Sequence, residues 1–169
     1  YIKIACQTGV ADVIKLLLIR WPDVVITEDI LRHAVVSCDI GMIEYLIKSG
    51  APVSASLCTA LVRGDMNIIK LLLERGADPN NGDITVDTMQ CECSSCKYNR
   101  WSMETIDNRE TRKGHTALTI KKIQLMLDYG WKVPPDSLAG LYSVKVIRIL
   151  LSHGASTTDP DFLRWLDSM

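Results

Sequence analysis

Residues 66–80 read "MNIIKLLLERGADPN". Ile68, Ile69, Leu71, Leu72 and Leu73 recur at helical spacing and build one broad apolar face. Gly76 then ends the helix, because glycine enters the left-handed conformation without a steric penalty. The phrase recurs as "DVIKLLLIRWPDVV" (12–25), "GMIEYLIKSGAPVS" (41–54), "IKKIQLMLDYGWKVP" (120–134) and "VKVIRILLSHGAS" (144–156). Each copy stops at a glycine, except the first, which carries Trp21 there.

A shorter helical phrase precedes each of the first three copies: "IKIACQTG" (2–9), "ILRHAVVSCD" (30–39) and "SLCTALVRGD" (56–65). Ala5, Ala34 and Ala60 share one register, 29 and then 26 residues apart, where a small side chain lets neighbouring helices approach. Two short antiparallel helices per unit cannot bury their apolar face alone. Several stacked units can. The reading is therefore an all-α solenoid of about five helix pairs.

Composition agrees. The 169 residues are 47% hydrophobic and 23% charged, with a net charge of −1 and a single Phe. That is ordinary for one folded domain, and a chain rich in Leu and Ile suits helix packing better than a sandwich. The near-zero charge and lack of like-charge blocks argue against nucleic acid or anionic lipid as partners. No apolar run approaches a membrane span and no signal peptide is legible. The start at Tyr1 suggests a chain trimmed from something longer, and the cysteine spacing fits no disulfide framework, which favours an intracellular compartment.

"NIIKLLLERGADPN" resembles the second helix and exit turn of an ankyrin repeat, and "LCTALVRGD" resembles its first helix. The likeness is strong over 1–80 and weaker from about 115 to 156. An ankyrin repeat is typically 33 residues long. "GAPVSASLCTAL" is shorter by about seven residues, so the projecting hairpins of the first three repeats should be stunted. The family's Thr-Pro-Leu-His phrase survives only as "GHTAL" (114–118), which runs into "TIKKI" too soon and leaves the first helix of that unit open. Gly76 and Gly130 lie 54 residues apart, about two periods, and the sequence between them has no clear apolar period. The division expected is three repeats over 1–80, a cysteine-containing insertion or degenerate repeat over 81–113, two repeats over 114–156, and a capping segment over 157–169. Phe162, Trp165 and Leu166 would seal that cap.

No catalytic signature occurs: no phosphate loop, no G-x-S-x-G, no H-E-x-x-H. A non-enzymatic role is expected. Cys6, Cys38 and Cys58 lie on first helices and read as small buried hydrophobes. "CECSSC" (91–96) gathers three of the six cysteines in six positions. Zinc takes four tetrahedral ligands, so Cys91, Cys93 and Cys96 with His115, or Cys58, would make a structural zinc site. A redox switch and an unoccupied loop are the competing readings.

Ankyrin-type arrays bind proteins on a concave face of hairpin tips and first helices. The resemblance thus implies a protein-recognition module, a monomer, whose contacts fall on the first helices and the insertion. Register selects Ile30, His33, Asp39, Ser56, Arg63 and Asp65. Two alternatives stand beside this reading: the targeting arm of a larger enzyme or effector, and a zinc protein in which the array is scaffold. Truncated arrays with irregular insertions also resemble those that large DNA viruses and intracellular bacteria direct at host proteins in the host cytoplasm.

Overall fold

The structure is a computed structural model that describes residues 11–21, 25–81, 84–90, 109–135, 137, 138, 141, 143–157, 162 and 164, with 11 and 109–115 through the backbone alone. Among the described residues every regular element is a helix. The chain divides into two compact units, Tyr1–Ile84 and Thr85–Met169.

The first unit contains α1 (Ala11–Arg20), α2 (Glu28–Ser37), α3 (Ile40–Lys48), α4 (Ser54–Arg63) and α5 (Met66–Glu74). Helices α2 and α3 form one antiparallel pair and α4 and α5 the next, with α2 packed along α4. The packing follows the register read from sequence. Ala34 and Ala60 are fully buried, flanked by Leu31 and Val35 on α2 and by Leu57 and Leu61 on α4. The second helices contribute Met42, Ile43 and Leu46, then Ile68, Ile69 and Leu72, all at most 1% exposed.

The exit turns are cut to one pattern. Gly76 has φ +86°, its N–H donates to Leu73 O at 3.0 Å, and the Ala77 N–H reaches back to Leu72 O at 3.0 Å. The same two bonds recur around Gly50, Gly130 and Gly154, all at positive φ. These turns satisfy the last helical carbonyls, which would otherwise be orphaned. Trp21, in the first copy, donates the ordinary helical bond to Leu17 O.

The second unit contains α6 (Val86–Met89), α7 (Arg109–Asp128) and α8 (Val144–Ser152), with α7 packed against both others. Where the sequence leaves a first helix open, α7 is one continuous helix through Gly114 and "TIKKI". Val86 and Met89 are buried, so the segment without apolar period does contribute core residues. Lys122 sits in the register of Ile68 and is only 1% exposed; its Nζ donates to Met89 O at 3.2 Å. Trp131, at the position of Ala77, is buried as well, whereas Trp21 is half exposed. Phe162 is half-buried, while Trp165 and Leu166 lie outside the described residues.

Candidate functional site

Helices α2 and α4 bury the side that carries Ala34 and Ala60 and turn the opposite side outward. On α2 that outward side holds Arg32 and Val36, both exposed, and the half-buried His33. On α4 the matching positions are Cys58 and Thr59, both half-buried, and the exposed Val62. Val36 and Val62 occupy the same place in successive repeats, two residues after the register alanines. They are among the exposed large apolar side chains of the chain, at 45% and 36%. Arg63, also exposed, crosses from one repeat to the other: its guanidinium donates to Val36 O at 3.3 Å. That bond satisfies a carbonyl at the frayed end of α2 and ties the two first helices together. Arg32 lies 3.4 Å from Asp29, a surface pair within one helix.

The six residues selected by register divide sharply. Ile30 and Ser56 are buried, at 8% and 0% exposure, so no partner reaches them. The reason is helical geometry: both lie four residues before a register alanine and therefore share its inward face. Among the described residues the Ser56 hydroxyl has no hydrogen-bond partner. Asp39 and Asp65 serve the fold. Each is the N-cap of a second helix: Asp39 Oδ1 accepts from Met42 N at 3.0 Å, and Asp65 Oδ1 accepts from Asn67 N at 3.0 Å and Ile68 N at 3.3 Å. Such caps satisfy orphan N–H donors, and the carboxylate complements the helix dipole. Of the six, His33 and Arg63 remain on accessible surface.

Arg32, Val36 and Val62 are the surface residues that the reading by register missed. The signal was present, since Val36 and Val62 repeat at one position and fall outside the inward face.

The zinc reading meets no structural test. Cys91, Cys93 and Cys96 lie outside the described residues, and His115 falls within α7 with its side chain likewise outside them. Among the described residues no cluster of metal-ligating side chains occurs. Cys38 departs from expectation: it is exposed and caps α2 at φ +58°, a place that Gly64 takes on α4. Cys58 is half-buried and outside any disulfide. His153 closes α8, with its Nδ1 2.8 Å from Ile149 O. Among the described residues no helix is long and apolar enough to cross a membrane.

Residues 57–84, which hold most of α4, all of α5 and the exit turn, match the family model of the ankyrin repeat. No curated protein matches the chain.

Proposed function

Because the chain is an ankyrin-repeat protein, a class of protein-interaction module, we propose that it recognises a protein partner through the outward side of its first helices. The observation that carries this is the row formed by Arg32, Val36 and Val62, with His33 and Arg63 beside it. Apolar side chains flanked by Arg are the composition that recognition surfaces favour, since they bury area while the charge fixes orientation. The valine repeats from one first helix to the next, so one extended segment of a partner can meet an apolar side chain on each.

The test is a triple variant, Arg32→Ala, Val36→Ala and Val62→Ala. All three positions are exposed and helical, so stability should change by less than about 0.5 kcal/mol at each. A partner captured by the parent chain should lose about tenfold or more in affinity for the variant. A control variant, Lys70→Ala on α5, should bind as the parent does. Equal binding by the triple variant refutes this surface.

A further inference from the structure

Lys122 stands at a core position of the array. Its equivalents on α3, α5 and α8 are Met42, Ile68 and Val146, all apolar and at most 2% exposed. Lys122 is buried as deeply, at 1%, and its Nζ donates to Met89 O at 3.2 Å. A lysine amine gives up its hydration on burial, and hydrogen bonds to protein offset only part of that loss.

The acceptor belongs to α6, a helix of four residues. One turn fixes the backbone in return for very few hydrogen bonds, so it does not hold itself together. Thr85 starts it without a side-chain cap, and the Gln90 N–H closes it on Asp87 O at 3.1 Å. Among the described residues, Val86 and Met89, at 4% and 0% exposure, and the Lys122 bond attach α6 to its unit.

Two effects oppose each other when α6 lifts. Val86 and Met89 meet water, which resists the motion. Lys122 regains hydration, which favours it. With Met, Ile or Val at this position the second effect changes sign, because a further apolar side chain would be uncovered. In the closed state the lysine methylenes still fill the space that those side chains occupy elsewhere.

We propose that α6 is a reversible strap over α7, and that Lys122 lets it lift while the rest of the second unit stays folded. Such local openings are drawn from elements with few buried apolar contacts, as α6 is. The lifted state turns Val86, Met89 and the Lys122 amine to solvent, and the closed state hides all three. The device is independent of the first-helix surface, which lies in the other unit.

Amide exchange followed by NMR in the full chain tests this. The Gln90 amide should exchange at least about tenfold faster than those of Ile123 and Met126 on α7. Lys122→Met, which installs the residue that α3 carries, should slow Gln90 about tenfold or more by favouring the closed strap. A lysine that served only as a clamp would give the opposite sign, because the variant loses its bond to Met89 O. Thiol labelling supplies a second readout. Met89→Cys keeps the backbone acceptor, and a maleimide reaches the new thiol only when α6 lifts. Its labelling, located at position 89 by tandem mass spectrometry, should slow about tenfold or more when Lys122→Met is added. Circular dichroism reports that each variant keeps its helices. Gln90 exchange that is unchanged or faster in Lys122→Met overturns the proposal. Equal labelling in the two backgrounds, or a parent Gln90 amide as slow as that of Ile123, overturns it too.

Discussion

Replacing Cys38 by glycine should stabilise the first unit, and the gain can be worked from one dihedral angle. Cys38 ends α2 at φ +58°, ψ +26°, while Gly64 ends α4 at φ +81°, ψ +15°. A residue with a Cβ in the left-handed region costs about 1–2 kcal/mol. Glycine removes that cost but adds freedom to the unfolded chain, worth about 0.5–1 kcal/mol against it. The side chain itself is exposed, and its thiol contacts, at 3.6 Å to Val35 O and 3.8 Å to Val36 O, are weak. The net expectation is a gain of about 0.5–1 kcal/mol. With a urea slope near ~2 kcal/mol/M, the unfolding midpoint should rise by about 0.25–0.5 M. Gly64→Ala should lower it by a similar amount, because it imposes the same strain on the equivalent turn. Cys38→Ala is the control: it keeps the Cβ and should gain almost nothing. A midpoint that falls in Cys38→Gly, or rises equally in Cys38→Ala, would show that the backbone at this cap is not strained as described.

Three further outcomes are expected. Leu72→Ala should cost about 2–5 kcal/mol in urea unfolding, since this fully buried side chain fills the core of the α4–α5 pair; a near-neutral change would mean the core face is misplaced. Asp65→Ala should cost about 1 kcal/mol through loss of two capping bonds, with Asp65→Asn recovering most of it, and a silent Asp65→Ala would deny the cap. The C-x-C-x-x-C phrase predicts about one zinc per chain in native mass spectrometry of protein purified without chelator, lost in Cys93→Ser. Metal-free protein whose three loop thiols alkylate freely would refute the zinc site.

The helices of the first unit were legible because period and punctuation agree. Ile68, Ile69 and Leu72 follow the 3.6-residue period, and Gly76 closes it. The second unit was less legible for a physical reason. Lys122 interrupts the apolar register, and only in three dimensions does its Nζ find Met89 O while its methylenes lie in the core. Val86 and Met89 form a single turn, too short for a period to be read. Trp131 is buried at a position that Ala51 and Ala77 fill with a methyl group, a substitution whose packing no period reveals.

The positions selected by register differ from the accessible ones for a different reason, which bears on the proposed recognition of a partner. Polar residues at register positions invite assignment to a partner, and apolar ones to the core. Here the assignment inverts. Asp39 and Asp65 are held by the N–H groups of the helices they start, and Arg63 by a carbonyl of the preceding repeat. Those charges serve the array's own backbone, which short connections between α2, α3, α4 and α5 leave with many helix ends to satisfy. Val36 and Val62 lie two residues past the alanines, about 200° around the helix from them, and stay partly exposed. A partner segment that covers both would gain apolar burial at two equivalent steps of the array, with Arg32 available to a carboxylate or carbonyl at the edge. On the proposed reading, specificity would reside in which residues flank the two valines, and the repeat architecture would supply only their spacing.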